Sequence, residues 1–173
     1  MFIKNNAHKI LKVFLDDSTE EFGLRELSRL AGVSPASTKK YLDKLIKEEI
    51  IKKITRKNYP MYIANRDSNK FKVLQKNTIT YELESTGLLN YLWENLSPKA
   101  IILYGGFQKG EATKDSDIDL FIVGKDSKID LERYEKKIGR KLHLFFQKEL
   151  TKTPKELKNN IINGSVLRGY LRI

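Results

Sequence analysis

Cysteine is absent from this chain of 173 residues, so neither disulfides nor thiolate metal centres are available to it, and a reducing compartment is the favoured setting. Long apolar runs are missing as well: nothing approaches the roughly 20 residues that span a bilayer, and the N-terminal MFIKNNAHKI lacks the apolar stretch of a secretory signal. A soluble, cytoplasmic protein is the expectation. Neither an internal repeat nor a low-complexity tract is present. Acid is scarce relative to base, with 22 Asp and Glu against 33 Lys and Arg, for a net charge of +11. The excess is uneven, since residues 1–80 hold 17 basic against 9 acidic side chains and residues 81–173 hold 16 against 13. A field of this sign concentrated in one half attracts polyanions.

What is present suits two small domains, because 40% hydrophobic content is ample for ordinary cores and the length exceeds one minimal domain. In residues 5–15, Ala7, Ile10, Leu11, Phe14 and Leu15 recur at helical spacing. Leu24, Leu27, Leu30 and Ala31 repeat the pattern over 24–31. Gly32-Val33-Ser34-Pro35 then predicts a turn in which Ser34 caps and Pro35 opens a third helix, running to about Glu49 with Tyr41, Leu42, Leu45 and Ile46 inward. Residues 50–54 and 61–64 read as short strands around the basic tip Arg56-Lys57-Asn58-Tyr59-Pro60.

This helix-turn-helix followed by a hairpin resembles the winged helices of prokaryotic transcription regulators. The resemblance implies contact with double-stranded DNA, the third helix entering the major groove and the wing touching backbone or minor groove. Ser37, Thr38, Lys39 and Lys40 are then the exposed DNA-binding candidates on the helix, with Arg56 and Lys57 on the wing. Hydroxyls can read base edges or phosphates, and the cations supply salt-dependent affinity. A winged helix used for protein contacts is the competing reading. Many such domains act as dimers, so a homodimer is a further expectation.

The expected organisation is a first domain over 1–66, a linker segment over 67–80 and a second domain over 81–173. Residues 79–96 predict a helix that Gly87 interrupts, with Trp93 in the core. Strand 100–104, a glycine turn with a short helix, strand 118–123, helix 131–138 and strand 141–147 follow. Pro154 opens a last helix with Leu157, Ile161 and Ile162, and the apolar tail Val166, Leu167, Leu171 should pack on its own sheet or on a partner. Strands alternating with helices predict an α/β sheet domain, and the chain as a whole falls in the α+β class.

The chemistry concentrates in LYGGFQKGEATKDSDIDLFIVG, residues 103–124. Alternate residues of a strand face one side, so Asp117 and Asp119 point together while Ile118 and Leu120 enter the core. Paired carboxylates are the usual hard ligands of Mg²⁺. Gly105 and Gly106 let the main chain turn tightly and approach phosphate. Lys109 and Lys114 could neutralise phosphate charge, although loop lysines are usually only solvated. Glu111 and Asp115 add acid nearby without an assigned role.

Gly105-Gly106, ten intervening residues and Asp117-Ile118-Asp119 resemble the Gly-Ser, ten-residue, Asp-x-Asp signature of the DNA polymerase β-type nucleotidyltransferase superfamily. The GEAT and DSDIDL blocks at 110–113 and 115–120 are most similar to the minimal nucleotidyltransferases of prokaryotes and archaea. That resemblance covers about half the chain. It implies a nucleotidyltransferase fold with a mixed sheet, Mg²⁺ on Asp117 and Asp119, a nucleoside triphosphate such as ATP held by Gly105, Gly106 and Lys109, and transfer of a nucleotidyl group to a hydroxyl. The acceptor it implies is a tyrosine of a HEPN-type partner in a toxin-antitoxin pair, and a small molecule, as for the aminoglycoside nucleotidyltransferases, is a weaker alternative. Two positions depart from the family. Gly106 replaces a serine that bonds phosphate, and His143, in Lys141-Leu142-His143-Leu144, stands where a third carboxylate is expected. His143 is therefore a catalytic candidate as general base, the competing readings being a histidine on an exposed strand face and an inactive domain that serves regulation.

Overall fold

In the computed structural model, residues 5–150 and 153–171 are described, which leaves the first four residues of the N-terminal reading and the last two of the apolar tail outside them. The chain divides into two compact units, Met1–Gln75 and Lys76–Ile173.

In the first unit, helix α1 (Asn6–Asp16) starts where the Asn5 carboxamide oxygen accepts the His8 N–H at 2.8 Å. A two-residue strand β1 (Phe22–Gly23) leads into α2 (Leu24–Ala31), which ends at Gly32 with φ +62°. Pro35 opens α3 (Pro35–Lys47), capped by Ser34, and the strands β2 (Ile51–Arg56) and β3 (Tyr59–Ala64) form a hairpin. The sheet is antiparallel in the order β1-β3-β2. Ile10, Phe14, Leu27, Leu42, Ile51 and Tyr62 fill the core between the helices and this sheet. Leu30, expected inward, is 55% exposed. At 100° per residue it lies off the stripe formed by Leu24, Leu27 and Ala31.

The segment expected as a linker over 67–80 is mostly helical. Helix α4 (Asn69–Ser85) places Phe71 and Leu74 against the first core and Ile79 and Leu83 in the second. Gly87, at φ +80°, separates it from α5 (Leu88–Leu96). Trp93, expected in the core, is 37% exposed, because Leu88, Leu89 and Leu92 define the buried side of α5 and Trp93 falls at its margin.

In the second unit, β4 (Ala100–Tyr104), the short helix α6 (Gly105–Lys109), β5 (Ile118–Val123), α7 (Glu132–Ile138), β6 (Leu142–Gln147), α8 (Lys155–Ile162) and β7 (Ser165–Gly169) follow in order. Their strands make one mixed sheet in the order β6-β5-β4-β7. β5 and β6 are parallel, joined by the α7 crossover, and the other pairs are antiparallel. The apolar tail thus adds an edge strand to its own sheet. Residues from α4, α5 and α7 cover one face, meeting Ile101, Leu103, Ile118, Leu120 and Ile122. Ile161 and Leu157 of α8, with Leu150, cover Ala100, Ile102, Phe121 and Val123 on the other. A sheet buried on both faces explains why 120–123 is an uninterrupted apolar run, and why polar chemistry is confined to the ends of the strands.

Candidate active site

Strand β4 delivers the chain to the site, and Gly105 turns it. Gly105 has φ +75°, a conformation that L side chains rarely adopt, and a Cβ there would overlap the Asp119 carboxylate. Both demands select glycine. Gly106 differs: a Cβ on it would meet Ala112 atoms at 3.7–3.9 Å, ordinary packing distance, so a serine would fit. The missing hydroxyl at this position is a change of chemistry that the backbone does not require.

Between Gly110 and Asp117 the chain forms a braced loop. The Ser116 hydroxyl accepts the Thr113 N–H at 2.9 Å. From 24 to 27 residues further along, Arg140 reaches back, its Nη1 donating to the carbonyl oxygens of Thr113 at 2.9 Å, Lys114 at 2.7 Å and Ser116 at 3.2 Å. The same guanidinium lies over the Phe107 ring, 4.9 Å from its centroid. Beyond the loop the Ile118 N–H joins the Lys141 carbonyl at 2.9 Å, starting the β5–β6 ladder. Asp117 is exposed at the mouth of β5 and Asp119 is half-buried one pleat further in.

The sheet register brings three side chains into one row. Tyr104 is opposite Asp119 across the antiparallel pair, and Asp119 is opposite His143 across the parallel pair. His143 Nδ1 lies 3.3 Å from Asp119 Oδ1, with the imidazole 63% and the carboxylate 28% exposed. Burial, followed by the negative charge of Asp119, pushes the Tyr104 phenol above its ordinary value. His143 therefore occupies the place across from Asp119. Among the described residues no cluster of three His, Cys, Asp or Glu side chains could hold a metal ion. Mg²⁺ needs fewer from a protein, since it is commonly bound through one or two carboxylates with phosphates and water completing the octahedron. The Asp119 carboxylate beside the glycine turn, with Asp117 two residues before it, fits that pattern.

Lys109, in the last turn of α6, and Lys114, Glu111 and Asp115, in the loop, are all exposed. Sequence reasoning missed Arg140 and Tyr104. Tyr104 could have been found, as the residue before the glycine pair at the end of a strand; nothing local marks Arg140.

The first unit distributes its candidates differently. Lys39 and Lys40 are exposed in the first turns of α3, and Ser37 is half-buried. Thr38 corrects the expectation of exposure: it is fully buried, its hydroxyl donating to the Val33 carbonyl at 3.4 Å, and it cannot reach a ligand. At the hairpin tip, Lys57 and Asn58 have φ of +46° and +65°, the left-handed pair of a tight two-residue turn. Arg56 is bound to Glu21 through Nε and Oε2 at 2.8 Å. This hydrogen-bonded pairing holds the Glu21 carboxyl below its ordinary range and raises Arg56. Arg56 is thus partly neutralised, and Lys57 is the cation left to the tip.

With this geometry in hand, residues 86–169 match the family described as nucleotidyltransferase domain. A Methanocaldococcus jannaschii protein, provisionally named as a protein adenylyltransferase, is 40% identical over 62 residues, covering 32% of this chain and 51% of its own length. The chain thus spans about half of that relative. No solved structure matches. The mixed α+β architecture with its mixed sheet is consistent with a nucleotidyltransferase fold, and no described helix is long and apolar enough to cross a membrane. The matched segment, residues 86–169, contains Gly105, Asp117, Asp119 and His143.

Proposed function

We propose that the second unit binds a nucleoside triphosphate, ATP by analogy with the named relative, and transfers its nucleotidyl group to a hydroxyl acceptor. The observation that carries the reading is the meeting of the Gly105 turn with the Asp119 carboxylate, one strand pleat from Asp117. Asp117 and Asp119 are the residues that would hold Mg²⁺, whose chemistry is to neutralise the triphosphate and polarise the phosphorus under attack. Main-chain N–H groups at Gly105 and Gly106 approach the phosphates, and Lys109 supplies positive charge at the end of the same turn.

Transfer forms a bond between the acceptor oxygen and the α-phosphorus while the bond to pyrophosphate breaks, the electron pair leaving with pyrophosphate. The acceptor proton goes to His143. With Nδ1–H donating to Asp119, Nε2 carries the free lone pair. A protein is the acceptor class suggested by the relative's name, and a tyrosine hydroxyl of a toxin-antitoxin partner is the specific form of that proposal.

The first unit completes the proposal as a winged-helix module for duplex DNA. Support comes from its element order, from Lys39 and Lys40 at the start of α3 and from Lys57 at the hairpin tip. Ser37 remains a candidate at half exposure.

A second reading has its own support. His143 in place of an acid weakens catalysis and Gly106 in place of a hydroxyl removes a phosphate contact, which together suit a regulator whose nucleotidyltransferase-like domain no longer transfers and senses a ligand or partner. One experiment separates the two. Full-length protein is incubated with α-labelled ATP, Mg²⁺ and cell lysate, beside Asp117→Asn and Asp119→Asn. Covalent label on a macromolecule that disappears with either variant supports transfer. Label that survives both changes excludes these residues from it, and nucleotide binding without any label favours the regulator.

A further inference from the structure

We infer that Arg140 is the positioning residue of the nucleotide site, acting through the 113–116 loop to fix Asp117. The inference rests on the proposed nucleotide-binding role of the second unit.

Three carbonyl oxygens, those of Thr113, Lys114 and Ser116, converge on one nitrogen of Arg140. That nitrogen has two hydrogens, so at least one bond is shared. Converging carbonyls repel one another and lose water on approach, and a guanidinium charge placed among them offsets both costs. The loop's shape is therefore conditional on the cation. Its own internal braces, Thr113 N–H to Ser116 Oγ and Ser116 N–H to the Thr113 carbonyl at 3.2 Å, close the turn, and Arg140 adds the cation where the three carbonyls converge.

The two site carboxylates depend on this brace unequally. Asp119 lies within β5, paired on both sides by β4 and β6, and the ladder alone fixes its backbone. Asp117 precedes the strand and directly follows the last carbonyl that Arg140 holds. Arg140 also stacks on Phe107 of α6, the helix that starts at the Gly105 turn. One side chain, anchored just before β6, thus joins the glycine turn to the entrance of the Asp-x-Asp strand. A lysine could satisfy one or two of the carbonyls but has no plane to lay on the ring.

The test uses the full-length chain with Arg140→Ala, Arg140→Lys, Asp117→Asn and the Arg140→Ala/Asp117→Asn double variant. Amide hydrogen exchange without ligand reports the loop directly: Arg140→Ala should speed exchange over 113–118 and leave Leu120 to Ile122 unchanged. Titration with Mn²⁺-ATP, followed by manganese paramagnetic resonance, reports the site. Loss of an outer partner of a metal ligand typically weakens the metal by about 10-fold to 100-fold, and a weakening at the lower end is expected for Arg140→Ala. Arg140→Lys should fall between it and the parent chain. The same change made in the Asp117→Asn background should add little, because the carboxylate it positions is gone. Millimolar guanidinium should restore part of the loss in Arg140→Ala and do nothing for Asp117→Asn.

Full additivity of the two substitutions, or unchanged exchange over 113–118, would overturn the positioning role. Should Arg140→Ala fail to fold, the lysine variant decides by the same two readouts. If the parent chain binds no Mn²⁺-ATP, the nucleotide reading fails by itself, and the exchange data alone then judge whether Arg140 holds the loop.

Discussion

Around Asp119 each neighbouring group is held by a named partner: Gly105 by its left-handed turn, the 113–116 carbonyls by Arg140, and His143 by the strand register. On α3 and the hairpin of the first unit the candidate cations Lys39, Lys40 and Lys57 are exposed. Arg56, the one with a tight partner, is tied to Glu21. The first arrangement fixes atoms, as the alignment of a nucleotide for in-line transfer demands. The second supplies a field, which suffices for phosphates spaced along a polyanion. One region should therefore respond sharply to small changes of shape, and the other gradually to changes of charge.

Gly105→Ala tests the sharp side. The left-handed backbone alone costs about 1–2 kcal/mol with a side chain, and the added Cβ must displace the Asp119 carboxylate. Nucleotide affinity should fall by about tenfold or more, judged from the 1.4 kcal/mol that corresponds to each factor of ten. Gly106→Ser, one residue on, should fold normally and bind nucleotide as well or more tightly. Equal damage at the two positions would erase the distinction between a fixed turn and an open one.

The gradual side comes next in size. Lys39→Ala and Lys40→Ala should each weaken duplex DNA binding several-fold and lower the slope of log affinity against log salt by about 1, without changing sequence preference. Thr38→Val should leave DNA affinity unchanged, since its hydroxyl is buried on Val33. A single lysine whose removal abolished binding would move this region into the fixed class.

The smallest effect concerns pH. Glu135 accepts the Leu142 N–H at 2.9 Å and the Lys141 ammonium at 3.0 Å, and these hold its carboxyl below the ordinary glutamate range. A depressed folded value contributes stability above the unfolded glutamate value, and that contribution is lost as pH falls through the folded one. Thermal unfolding of Glu135→Gln should therefore lie slightly below the parent at neutral pH, with the gap closing in acid.

Much of this was legible along the chain, for local reasons. Alternation predicted a strand shared by Asp117 and Asp119, of which Asp119 lies in β5 and Asp117 just before it, and Ser34-Pro35 marked the start of α3. The burial of Thr38 was legible too, and was missed: Thr38, Leu42 and Leu45 stand at i, i+4 and i+7, so they share the inward stripe. His143 could be aligned with a missing acid from sequence, but its pairing with Asp119 needed the β5–β6 register. Arg140 was out of reach because its three acceptors are main-chain carbonyls, which residue type does not encode, brought together only by folding.

The most direct measurement is calorimetric titration of the full-length chain with MgATP, beside the same titration of Asp119→Asn. Removing a carboxylate proposed to hold the metal should weaken binding by about 100-fold, at the upper end of what even outer-shell changes cost, while the variant keeps its fold. Equal affinity in the two proteins would contradict a metal-nucleotide site at Asp119.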